Sequence, residues 1–216
     1  MNILTKVALG MMGNLRPKPA LGHAPTSISL PPPEKQGGLP LLEALAQRHS
    51  SRDFSPDALP LPLLSTLLWA AYGVNRDDGG RTAPSALNAQ EIEMFVALPD
   101  GAYRYDAADN ELQLVAGSDV RRVTGYQDFV DEAPLDLVYV ADHTRLGRVP
   151  VAQRELYAYV AAGAIAQNVY LFSSSNNLAT VIRGWFDRAA IADALGLTHD
   201  QQVLLSQTVG YPKRLQ

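Results

Sequence analysis

The chain has no cysteine. That absence excludes disulfides, thiolate nucleophiles, Cys-ligated zinc and Cys-ligated iron–sulfur clusters. Histidine is sparse: His23, His49, His143 and His199 are far apart and form no H-x-x-x-H or H-E-x-x-H pair, so no metal-binding signature is present. No apolar run reaches the roughly 18 residues of a membrane span. The nearest, 157–172, is interrupted by Gln167 and Asn168 and reads as a buried helix, so no membrane partner is expected. After Lys6 the apolar stretch Val7–Met12 is too short for the core of a cleaved leader, and a cytoplasmic protein is expected. There is no excess of positive charge: 18 Lys and Arg face 22 Asp and Glu, a net of −4. The basic footprint of a nucleic-acid binder is therefore missing. Missing too are G-x-G-x-x-G after a strand, G-x-x-x-x-G-K-[ST] and G-x-S-x-G, which leaves Rossmann, phosphate-loop and α/β-hydrolase chemistry without support.

What is there is globular. Of 216 residues, 47% are hydrophobic and 19% charged, enough for one sizeable core. Residues 1–38 carry Pro17, Pro19, Pro25, Pro31-Pro32-Pro33 and Gly37-Gly38. This segment reads as an extended arm without regular helix or central strand. It is either a loose leader or is pinned by Ile28 and Leu30 across the body or a partner subunit. Residues 39–216 read as a single domain. Apolar spacing predicts helices over 40–47, 62–73, 154–174 and 188–195, and a short one near 118–125. Strands are expected at 92–98, 102–106, 111–115, 135–141, 178–182 and 203–208. Helices and strands mix without strict βαβ alternation, so the fold class is α+β rather than doubly wound. The helix at 154–174 is apolar on most sides, which suits a core or an interface.

Three constellations carry chemistry. Arg48-His49-Ser50-Ser51-Arg52 gathers two guanidiniums, an imidazole and two hydroxyls, a good set for a phosphate; it also reads as a solvated helix end. Pro84-Ser85-Ala86-Leu87-Asn88-Ala89-Gln90 presents amide donors and acceptors suited to the edge of a planar ligand, or simply a helix cap. Gly210-Tyr211-Pro212-Lys213-Arg214 sets two cations beside a turn, either for a phosphate or as a solubilising tail.

Taken in order, these segments resemble the FMN-dependent nitroreductase family. Arg48–Phe54 looks like its R-[RH]-S-x-[RK]-x-F opening, Pro84–Gln90 like P-S-x-x-N-x-Q, and Gly210-Tyr211-Pro212 like the terminal G-Y-P. Ser29–Pro33, Leu67–Gly73 and Gly101–Asp106 resemble the azoline-dehydrogenase (SagB-type) branch, although the Lys-Tyr pair of azoline oxidases has no match. The resemblance implies a central, mostly antiparallel sheet flanked by helices, an interlocked homodimer, and FMN sites between subunits. By motif position, Arg48, His49 and Ser50 would hold the phosphate and ribityl chain, with Arg52 nearer the pyrimidine side. Pro84, Ser85 and Asn88 would approach the ring from the other subunit. Gly184 matches the position where a backbone N–H meets the flavin N5 region. Arg183 stands where many simple members carry Glu, which alters the electrostatics over the ring. Lys213 or Arg214 would complete the phosphate cage. The activity implied is NAD(P)H-driven reduction of nitroaromatics, quinones or similar flat acceptors by a ping-pong cycle. The alternatives are an oxygen-coupled dehydrogenase of azolines or other organic substrates, and a flavin-binding protein without turnover.

Overall fold

The computed structural model describes residues 1–213. Its centre is a seven-stranded sheet. The strands are β2 (Ser27–Ser29), β3 (Ile92–Leu98), β4 (Gly101–Asp106), β5 (Glu111–Ala116), β7 (Leu135–Asp142), β8 (Ala179–Arg183) and β9 (Gln201–Gly210), ordered β2-β5-β4-β3-β7-β9-β8. Every neighbouring pair is antiparallel. A separate two-stranded pair joins β1 (Lys18–Pro19) to β6 (Ser118–Asp119).

The sheet is the middle of three layers. Successive side chains of a strand leave opposite faces, so a strand covered on both faces carries apolar residues on both. On β3, Ile92, Met94 and Val96 enter the larger core cluster, and Phe95 and Ala97 the other. On β7, Leu135, Leu137, Tyr139 and Ala141 face the first cluster and Val138 and Val140 the second. The first cluster is closed by α3 (Leu61–Tyr72) and α4 (Val151–Ser175). The second lies under α5 (Arg188–Leu195) and the 3₁₀ turn Val120–Thr124. Local chemistry fixes the ends of these helices. Pro62 sits in the first turn of α3, where a missing N–H costs nothing. On α5 the Asp187 side chain accepts from the Ala190 N–H, and Gly196 takes the left-handed conformation at the exit, as favoured caps do. No helix among the described residues is long and apolar enough to cross a membrane.

The N-terminal 38 residues differ from the extended arm expected of them. Ile3–Met11 forms a helix, α1, whose N-cap Asn2 side chain accepts from the Thr5 N–H. The prolines begin only at Pro17, so nothing in them forbids a helix before that point. Lys6 in its middle is fully buried, and its ammonium meets Asp131 Oδ1 at 2.8 Å and the Gln127 carbonyl at 2.9 Å. Further on, Ile28 pairs opposite Leu112 in β5 and Leu30 is buried in the main core. Of the two readings of the arm, the pinned one describes the molecule, and the surface it crosses is its own sheet. The short helix expected near 118–125 is the strand β6 followed by a 3₁₀ turn.

Candidate functional site

The helix α2 (Leu41–Gln47) ends at Arg48. From there the chain runs extended between β8 and the C-terminal residues. The Ser51 N–H donates to the Thr180 carbonyl at 3.0 Å, Ser55 N–H to Tyr211 O at 2.8 Å, and Lys213 N–H to Asp53 O at 3.1 Å. A bridge joins Phe54 to Pro212. The first and third sequence constellations, more than 150 residues apart in the sequence, are thus side by side. Arg214 lies outside the described residues.

One residue knits this region and was not singled out by the sequence. Tyr170, on α4, lies 2.8 Å from Ser50 Oγ through its hydroxyl and accepts the Ile182 N–H at 3.1 Å. The Arg48 guanidinium sits over its ring, 5.2 Å from the centroid, a cation–π placement. A phenol in a largely apolar helix was the available signal. His49 is exposed, and its Nδ1 lies 2.9 Å from the Gln47 carbonyl. A carbonyl can only accept, so the His49 Nδ1–H donates to it.

β8 is an edge strand, paired only with β9. In an antiparallel pair, alternate residues turn both backbone polar groups to the same side. Thr180 O and Ile182 N face away from β9, toward Ser51 and Tyr170. The alternation makes Gly184 the next outward residue. Gly184 is exposed, and a Cβ built there would come no nearer than 3.7 Å to another heavy atom. Beside it Trp185 is 54% exposed and stands edge-on to Tyr126, with ring centroids 5.2 Å apart. Burial pushes the Tyr126 phenol up, and Asp187 adds to this, so Tyr126 is a neutral donor or aromatic wall at ordinary pH. Two clefts open on this region. One of about 230 Å³ includes His49, Ser51, Tyr170, Thr180 and Pro212. The other, about 390 Å³, holds Arg52, Asp53, Phe54, Gln127, Phe129 and Lys213.

Pro84, Ser85 and Asn88 are elsewhere in the same chain. Leu87, Asn88 and Ala89 line a different cleft, with residues 144–149. The turn is held by Ser85 Oγ accepting the Gln90 N–H at 2.9 Å and by Gln90 Oε1 accepting from Arg81 Nε at 3.1 Å. Leu87, Asn88 and Gln90 have φ of 54°, 53° and 51°, three left-handed residues in four positions, a conformation costly for a branched side chain such as Leu.

Arg183, one of the expected cofactor-binding residues, is buried. Its side chain is turned into the core, 4% exposed, and its Nη2 meets Asp136 Oδ1 at 2.6 Å. Burial draws the guanidinium pKa down against the pull of Asp136. Gly184 beside it is exposed, whereas the Arg183 charge is paired with Asp136 inside the protein.

A model of the nitroreductase family matches residues 45–211. A nitroreductase-named protein of Methanocaldococcus jannaschii is 32% identical over 169 residues, 74% of this chain and 84% of that protein. A crystal structure of a nitroreductase-named protein from Ralstonia eutropha JMP134 superposes with a TM-score of 0.89 at 47% identity, covering 93% of this chain and 96% of the other. The NADPH:FMN oxidoreductase of Vibrio harveyi, solved with NAD+, gives a TM-score of 0.60 at 21% identity over 81% of this chain and 69% of that one; at that identity the likeness is one of fold. Sequence motifs, sheet order and these matches agree that the chain belongs to the nitroreductase family of flavin-using oxidoreductases.

Proposed function

We propose that the chain works as a homodimer that binds FMN and uses NAD(P)H to reduce nitroaromatics, quinones or similar flat acceptors. The observation that carries this reading is the meeting of Arg48–Arg52 with Tyr211–Lys213 beside the open end of β8. Arg48 and Lys213 bring two cations and Ser50 a hydroxyl, which suits the nearly doubly charged phosphate of FMN. Arg48 and Ser50 hold the phosphate end, with Lys213 completing the cage. His49 binds along the ribityl chain through its free Nε2, and Arg52 lies nearer the pyrimidine side. Gly184 offers a backbone N–H with no side chain to keep a planar ring away. Ser85 and Asn88 come from the partner subunit. Their separation from Arg48 within one chain is what a site shared between two chains needs, and it supports the dimer. When bound, FMN supplies the two-electron hydride chemistry; the chain binds it, orients it and keeps its charge compensated.

We keep the chain on the azoline-dehydrogenase branch by Ser29–Pro33, Leu67–Gly73 and Gly101–Asp106. The test is a visible absorbance spectrum of freshly purified protein, followed by anaerobic NADH and then NADPH. A flavin band that bleaches within the turnover time of either nucleotide is expected and names the donor. A flavin that neither nucleotide bleaches, but that air reoxidises after reduction by an organic substrate, transfers the reading to the dehydrogenase. A protein that takes up no flavin, even with FMN added, overturns it.

A further inference from the structure

Arg183 and Asp136 form a buried ion pair that the flavin chemistry above leaves without a task. The two side chains are 4% and 0% exposed and meet at 2.6 Å. Asp136 lies on β7, and β9 runs between β7 and β8, so Arg183 reaches across a whole strand to its partner. The middle strand contributes Thr208, which stands opposite Asp136 on one side and Val181 on the other and whose hydroxyl donates to Asp136 Oδ1. Thr124 Oγ1 donates to Asp136 Oδ2 at 2.8 Å, and the Phe129 ring lies 5.4 Å from the guanidinium carbon. Arg183 Nε and Nη1 are buried with no hydrogen-bond partner among the described residues. Burying such a pair is expensive, and hydrophobic replacement is often neutral or better for stability. A function in orientation accounts for its being there.

The peptide plane supplies that function. The N–H of Gly184 belongs to the plane shared with Arg183, so ψ of Arg183 decides where it points. Gly184 has no side chain to restrict it, and it follows the last residue of an edge strand. We infer that Arg183 and Asp136 are positioning residues: their pair pins the last peptide of β8 to the sheet interior and thereby aims the Gly184 N–H at the ring edge of the bound flavin. This rests on the proposed function. It assigns Arg183 a geometric part, since Asp136 compensates its charge.

The experiment compares the parent with Arg183→Lys and with the double replacement Arg183→Met/Asp136→Leu, which removes both charges together and spares the core an unpaired ion. Amide hydrogen exchange at residues 182 and 183, the bonded amides at the end of β8, is read without FMN; FMN affinity and the visible circular dichroism of bound FMN are read with it. In the double variant, exchange of the hydrogen-bonded amides of residues 182 and 183 is expected to quicken about tenfold while the sheet interior keeps its protection, FMN to bind about tenfold more weakly, and the flavin dichroism to change. Arg183→Lys keeps the charge but loses the planar fork, and it should fall between parent and double variant. It also keeps the proposal testable should the double variant not fold. Faster exchange with parental flavin dichroism and affinity overturns the inference, because the pair is then structural only. Parental exchange in the variants overturns it as well. A parent that takes up no FMN overturns the functional reading itself, whereas a parent that takes it up beside unaltered variants overturns the positioning pair alone.

Discussion

Tyr170 Oη stands between Ser50 Oγ and the Ile182 N–H, so Tyr170→Phe strips one hydrogen-bond partner from each. The loss of stability should be about 0.5–1.5 kcal/mol, the net contribution of an ordinary hydrogen bond at partly buried groups, and urea denaturation measures it. Arg48→Ala touches a half-buried side chain outside the core and should leave the fold intact. It should weaken FMN binding by about 1.5–3 kcal/mol, the range for a hydrogen bond to a charged group, in a fluorescence titration; an unchanged dissociation constant contradicts the phosphate assignment. Leu87 is 67% exposed with φ at 54°, so Leu87→Gly should raise the thermal midpoint by relieving roughly 1–2 kcal/mol of left-handed strain, less the added freedom of the unfolded chain. The family motif at Arg48–Arg52 was legible because it is a contiguous pattern that does not depend on what it packs against. Arg183 was not. Whether a strand residue faces in or out depends on the register of its neighbours, and its counter-ion Asp136 lies 47 positions away.

Among the elements, α1 shows why some structure escapes a reading by pattern. A lysine in the middle of a helix normally marks the solvent face, yet Lys6 is the buried contact, because Asp131 and the Gln127 carbonyl wait for it 125 and 121 residues on. Burial alone would raise the Asp131 carboxyl, but the Lys6 hydrogen bond and charge, helped by Lys18 and Arg122, hold it below the usual carboxylate range. A carboxyl depressed in the folded state stabilises above its unfolded value and loses that contribution as pH falls through the folded one. Thermal midpoints should therefore drop more steeply below about pH 4 for the parent than for Asp131→Asn. An equal acid slope in both would show that this group does not anchor α1. The helices α2, α3, α4 and α5 and the strands β3, β4, β5, β7, β8 and β9 were legible from apolar spacing. The strand β2 was not, since Ser-Ile-Ser offers one apolar side chain and its identity as a strand comes from pairing with β5.

At the scale of the whole molecule, α4 buries Ala158, Ala161, Ala162, Ile165 and Ala166 but leaves Leu156 and Val160 more than 60% exposed. The helix α2 likewise exposes Leu41 and Leu42. Such apolar faces suit an obligate interface, which resembles a core cut in half. The chain should sediment as a dimer at working concentrations. Val160→Glu replaces an exposed side chain, so the subunit fold should survive, while dimerisation and FMN affinity fall together. A monomeric variant with the parental FMN affinity contradicts a site shared by two subunits. The α+β architecture was legible because turn chemistry and apolar runs alternate without the βαβ rhythm. How two chains meet is not written in any local pattern.

The prolines around β2 have a consequence for how the protein behaves in concentrated solution. β2 is an outer strand of the sheet, and its free row of polar groups is the kind of template on which sheets of different molecules stack. Here the strand is only three residues long, with Pro25 before it and Pro31-Pro32-Pro33 after it. Each proline withholds an N–H, so the ladder cannot lengthen. The segment read from the sequence as an extended arm thus closes the sheet against its own kind. Without it β5 would become the border, with Leu112 and Leu114 beside an unblunted row of amides, and intermolecular aggregation would compete with folding.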